Sequence, residues 1–174
     1  MIPVKRLCLA AVVACAAAAP AHADEIFGGL YVHDVKTPLD KSGVENGLDV
    51  QLGWRSAPGP LRLQEYFFVA VNTAGDTNYA ALGFSRKFGD KVYFRPGVGI
   101  AIHTGSPRKF DIPGNRRIEF GSQVLFEPEI AVGTTLNDRM SIEASWVHMS
   151  HAQLFSRQNP GIDNFGVRLN YRFN

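Results

Sequence analysis

Apolar and polar residues alternate with period two over stretches of about 10 residues, and this constrains the chain more than any other feature, because it is the strand signature. Eight such runs lie near residues 25–34, 45–55, 60–72, 77–88, 91–103, 120–134, 139–150 and 163–173, between clusters of Gly, Pro, Asn and Asp. No segment sustains a helical period. In the second run Leu48, Val50, Leu52 and Trp54 oppose Asp49, Gln51, Gly53 and Arg55. The fifth sets Val92, Phe94, Val98 and Ile100 against Tyr93, Arg95, Gly97 and Gly99. In the eighth, Phe165, Val167, Leu169, Tyr171 and Phe173 oppose Gly166, Arg168, Asn170 and Arg172. A tilted transmembrane strand needs roughly 9 to 11 residues, whereas strands of soluble sheets centre on about 5 or 6.

The first residues have the composition of an export signal. Lys5 and Arg6 precede an apolar run from Leu7 to Ala19, and Ala21-His22-Ala23 offers a small-x-small cleavage pattern. The expected division is a signal peptide at 1–23 and a barrel domain at 24–174. The apolar run is too short to span a bilayer, which takes roughly 20 residues. Val12-Val13-Ala14-Cys15 also resembles a lipobox, but cleavage there would leave an alanine-rich tract on the mature chain. Both cysteines, Cys8 and Cys15, fall in the leader, so the mature chain has no means to form a disulfide. Without Lys5 and Arg6 the charges balance at 16 of each sign. That balance lacks the basic footprint of a nucleic-acid-binding protein.

Export, strand length and alternation together give an all-β fold, an eight-stranded antiparallel transmembrane β-barrel. The closing Tyr171-Arg172-Phe173 is similar to the assembly signal of bacterial outer-membrane barrels, which makes the cell outer membrane the expected location. In lipid the apolar face turns outward and the polar face inward. Arg55, Arg95, Glu127, Glu129, Glu143, Arg168 and Arg172 are then expected to fill the narrow interior as a salt-bridged plug. A soluble lipocalin-like barrel would need an apolar interior instead. Short links near 56–59, 89–90 and 137–138 read as periplasmic turns, and long ones near 35–44, 103–119 and 151–162 as extracellular loops.

One strand departs from this pattern at its outer end. His148 and Ser150 share a face with Met140, Ile142, Ala144 and Trp146, the side expected to meet lipid. An imidazole within reach of a serine hydroxyl can act as its base. A carboxylate on the other ring nitrogen would fix the tautomer. Asp163, returned by the turn Asn159-Pro160-Gly161, starts the neighbouring strand on the same face. Each piece has a plainer reading: His148 as a girdle residue, Asn159-Pro160-Gly161 as a turn, Asp163 as a strand start. Metal binding by His148, His151 and Asp163 matches no zinc spacing. Glu127 and Glu129 read as structural ion partners, and Phe67, Phe68 and Phe126 as packing or lipid contacts.

The stretch His148-Met149-Ser150-His151-Ala152, followed by Asn159-Pro160-Gly161-Ile162-Asp163, resembles the C-terminal signature of the PagL-type lipid A 3-O-deacylases. These are outer-membrane barrels with a His-x-Ser-Asn motif and a downstream acid. The resemblance implies Ser150 as nucleophile, His148 as general base and Asp163 as orienting acid. It also implies lipid A or lipopolysaccharide as substrate, no metal or other cofactor, and a homodimer. His151, Trp146 and Asn159 are the expected substrate-binding residues. The chain departs from the pattern in carrying aspartate where the family's best-known member has glutamate, after a loop one residue longer. It also has His151 for asparagine and Gln153 for glycine, two positions the family associates with the oxyanion. The alternative is a catalytically silent barrel whose loops serve a structural or adhesive role.

Overall fold

The computed structural model describes residues 23–38, 43–110, 112, 114–154 and 159–173. Eight strands close into a barrel in which each pairs antiparallel with its neighbours in sequence and β1 meets β8. They are β1 (Ala23–Val32), β2 (Leu48–Ser56), β3 (Leu63–Asn72), β4 (Tyr79–Arg86), β5 (Val92–His103), β6 (Val124–Thr135), β7 (Met140–Met149) and β8 (Ile162–Arg172). Every expected run matches one strand, with ends that differ by at most four residues. The third begins late because Pro60–Arg62 forms a 3-10 turn in which Leu61 and Arg62 have positive φ. The sixth begins at Val124 because the backbone of Glu119 and Phe120 pairs with Ser106 instead, and Gly121 then turns the chain with φ 77°. The expected signal peptide lies outside the described residues except for Ala23, where β1 starts.

The barrel is apolar outside and polar within. Leu30, Val50, Leu52, Leu82, Val98, Ile100, Val132 and Val167 are exposed, whereas Arg55, Arg95, Glu127, Glu129, Glu143 and Arg168 are buried. Water would penalise such an exterior and lipid does not. The inward charges pair, apart from Glu127, whose partner is a tyrosine. Arg168 meets Glu129 at 2.9 Å and Glu143 at 2.5 Å, and Arg95 meets Glu143 at 3.0 Å. Arg55 pairs with Glu25, and the Tyr66 hydroxyl donates to Glu127. Two corrections to the expected plug follow. Arg172 is exposed at the mouth that carries the short turns, where it is the last residue of β8. Glu25 joins the buried network from β1. Small residues make room for the large ones: a Cβ at Gly133 would lie 2.5 Å from the Tyr93 ring.

Arg168 joins two buried carboxylates, so removing it strands charge where water cannot reach. Arg168→Met is expected to cost about 3 to 5 kcal/mol. Urea unfolding in lipid vesicles measures it, and a change under 1 kcal/mol would contradict the proposed weight of the network.

At the outer end a second network closes the interior. His33 bonds Asp49 at 2.9 Å and Glu45 at 3.0 Å, and Thr77 donates twice to Glu45, each at 3.1 Å. Burial opposes protonation of His33, but the two carboxylates outweigh it and hold its pKa up at about 9. From Asp49 the contacts run through Tyr79 to Asn164 on β8, whose Oδ1 accepts the Asp34 N–H. The first long connection is thereby fixed to the last strand. The turns 57–62, 87–91 and 136–139 lie at the same end as the N-terminus of β1 and the C-terminus of β8. The longer connections 33–47, 104–123 and 150–161 lie at the other end, which holds His148 and Ser150.

Candidate active site

The β7–β8 ladder sets His148 directly opposite Asp163, and Trp146 opposite Phe165. Cβ atoms of such opposite pairs stand about 4.5 to 5.5 Å apart, within reach of a direct side-chain bond. His148 Nδ1 lies 2.8 Å from Asp163 Oδ1, and His148 Nε2 lies 3.0 Å from Ser150 Oγ. An ionised carboxylate only accepts. The imidazole proton therefore belongs on Nδ1, which leaves Nε2 free to accept from the serine hydroxyl. The His148 side chain is 14% exposed, Ser150 9% and Asp163 0%, so the acid is fully covered and the imidazole and hydroxyl are only slightly accessible.

Backbone contacts hold these groups. Ser150 continues β7 by an isolated bridge to Phe126, donating at 3.1 Å and accepting at 2.8 Å. The left-handed Gly161 (φ 60°) brings the chain back so closely that a Cβ there would lie 3.2 Å from His148 Cε1 and 3.6 Å from Ser150 Cβ. Gly161→Ala combines a disfavoured φ with pressure on the ring, and is expected to cost about 1 kcal/mol of stability. Displacement of the imidazole is expected to lower the turnover rate by roughly 10-fold. Unfolding curves and rates on one preparation check both, and an unchanged rate would mean that the ring yields freely.

The other sequence candidates occupy different places. The Trp146 indole N–H donates to Asp163 Oδ1 at 2.7 Å, and its ring stacks with Phe165 at 6.2 Å between centroids. Asn159 Oδ1 accepts the backbone N–H of His151 at 3.0 Å, bracing the last connection. His151 is wholly buried, so its imidazole is covered where the sequence reading expected a substrate contact. No local pattern in the sequence marks Thr37, whose hydroxyl donates to Asp163 Oδ2. It lies 126 positions before Asp163 and becomes its neighbour only because β1 closes on β8. Glu127 and Glu129 face inward, partnered by Tyr66 and Arg168. Phe68 packs inside, while Phe126 is exposed beside Ser150. Among the described residues no group of three or more His, Cys, Asp or Glu side chains gathers to hold a metal ion.

Fold and site define an outer-membrane β-barrel with a Ser, His and Asp constellation on its lipid-facing surface. The chain belongs to the PagL family, described as lipid A 3-O-deacylase, whose family model matches residues 35–172. Its fold is similar to the crystal structure of the outer membrane enzyme PagL, with a TM-score of 0.56 at 20% identity, over 86% of this chain and 99% of that one. A designed transmembrane β-barrel is similar with a TM-score of 0.55 at 10% identity, over 89% and 98% of the two chains. No curated protein matches. Family and fold place the protein in the outer membrane of a Gram-negative cell.

Proposed function

We propose that the protein is a serine esterase that removes the ester-linked 3-hydroxyacyl chain at position 3 of lipid A. Family membership supports lipid A 3-O-deacylase activity in general. The observation that carries the finer reading is the continuous contact from Asp163 through His148 to Ser150, on the lipid-facing surface at the barrel's outer end. That end meets the outer leaflet, where a barrel-bound enzyme encounters lipopolysaccharide without extracting it.

Ser150 Oγ attacks the ester carbonyl while His148 Nε2 takes its proton. Nε2 then returns the proton to the departing sugar oxygen. Water repeats the sequence on the acyl-serine, freeing the fatty acid and restoring the hydroxyl. Asp163 holds the imidazole and stabilises its charged form. The oxyanion needs donors, and several nearby backbone N–H groups are engaged: Ser150 on Phe126, His151 on Asn159 and Leu154 on His151. Among the described residues of this turn, Ala152 and Gln153 have backbone N–H groups not engaged in these bonds, both with left-handed φ, 51° and 61°. Gln153 stands where the resemblance implies glycine, yet it adopts the conformation that glycine takes most readily. Successive backbone N–H groups in a turn can form an anion-binding concavity.

Cleavage after Ala23 fits this reading, since it removes only the first residue of β1 and leaves the rest of the barrel in the exported domain. The test is incubation of purified, folded barrel with lipid A, followed by mass spectrometry. Loss of one hydroxyacyl chain supports the assignment, and an unchanged mass would leave a catalytically silent barrel.

A further inference from the structure

The connection from β1 to β2 crosses β8 instead of returning directly. β1 ends its ladder with Val32 facing Phe165, but three residues later the Val35 N–H donates to the Asp163 carbonyl at 2.7 Å. The register has therefore slipped by one residue, the signature of a bulge. Asp34 makes the turn with a left-handed φ of 51°. Its N–H donates to Asn164 Oδ1 at 2.9 Å, and its Oδ2 accepts the N–H groups of Val44 and Glu45 at 2.7 and 2.8 Å. One aspartate thus ties the two described arms of the connection together while the backbone ties them to β8.

A slip of one residue exchanges the faces of a strand. β1 sends Phe27, Tyr31 and His33 inward. Beyond the slip, odd-numbered Thr37 comes over the outer face, where its hydroxyl donates to Asp163 Oδ2. The other oxygen, Oδ1, serves both His148 and Trp146. Asp163 is consequently fully covered although it belongs to the outer patch.

We propose that Thr37, delivered by this strapped connection, is a positioning residue for the reaction: it clasps the second oxygen of Asp163 and fixes the carboxylate plane so that Oδ1 stays on the imidazole. The terminal torsion of aspartate is broad. Donors on one oxygen alone leave the other free to swing, and a donor on each side removes that freedom. A neutral hydroxyl does this without adding a charge that would compete with the imidazolium. The inference rests on the proposed triad.

The test compares Thr37→Val, Thr37→Ser and Asp163→Asn, together with the Thr37→Val/Asp163→Asn double variant. All are purified in detergent and confirmed folded by heat-modifiable migration. With lipid A as substrate, Thr37→Val should lower kcat roughly 10-fold with KM little changed. Thr37→Ser should restore most of the rate, and Thr37→Val should add nothing once Asp163 is asparagine. A kcat within twofold of wild type for Thr37→Val would overturn the clasp, as would an equal loss in Thr37→Ser or an undiminished penalty in the Asp163→Asn background. An inactive wild-type protein would overturn the triad reading itself, a result distinct from an active enzyme indifferent to Thr37.

Discussion

Ser150→Ala is expected to lower release of 3-hydroxy fatty acid from lipid A by a factor on the order of 10⁴ or more, with the barrel intact. The substitution removes one oxygen from a largely covered site just past the end of β7, and the ladder contacts of residue 150 with Phe126 use only backbone atoms. Stability should therefore change little. The loss should appear in kcat, because the hydroxyl contributes bond formation more than ground-state binding. Mass spectrometry of lipid A after long incubation measures it. Turnover at the wild-type rate would place the nucleophile elsewhere.

Asp163→Asn is expected to reduce the rate by about 10² to 10⁴, less than loss of the nucleophile. Asp163 accepts three side-chain donors: His148 Nδ1–H and the Trp146 indole N–H on Oδ1, and the Thr37 hydroxyl on Oδ2. Asparagine offers one acceptor oxygen and one amide donor. If the oxygen faces the indole and imidazole, the amide meets the Thr37 hydroxyl, and the net charge that stabilises the imidazolium is gone. If the amide faces the ring, it drives the proton from Nδ1 to Nε2, and the base then has no free nitrogen for Ser150. Either way the defect should appear in kcat while KM for lipid A stays near wild type. An Asp163→Asn enzyme within twofold of wild type would assign the orienting role to another group.

Much of this was legible in the sequence, for a reason particular to barrels. The strands are uniform and consecutive, so period two alone assigns the face of each residue, and His148 and Ser150 stand out against Ile142, Ala144 and Trp146 as polar groups on an apolar side. Asp163 was legible because it shares a hairpin with them. Thr37 was not, because its place depends on closure of β1 against β8 and on a one-residue slip at Asp34, neither of which leaves a mark in local composition. The resemblance makes Trp146 an expected substrate-binding residue, but its indole N–H points to Asp163, a direction that alternation does not encode. His151 follows Ser150 in the chain yet is buried, since the connection turns there through left-handed Ala152 and Gln153. Arg172 has the alternation of a core residue and the position of a strand end, and position prevails.

The most direct test of the central claim is covalent labelling of the folded protein with a lipophilic fluorophosphonate, followed by peptide mapping and assay of the labelled enzyme on lipid A. A hydroxyl activated by His148 should be phosphonylated in proportion to the activity lost, with the added mass on the peptide bearing Ser150 and no labelling in His148→Ala. Complete inactivation with Ser150 unmodified, or full activity with Ser150 fully labelled, would contradict the account.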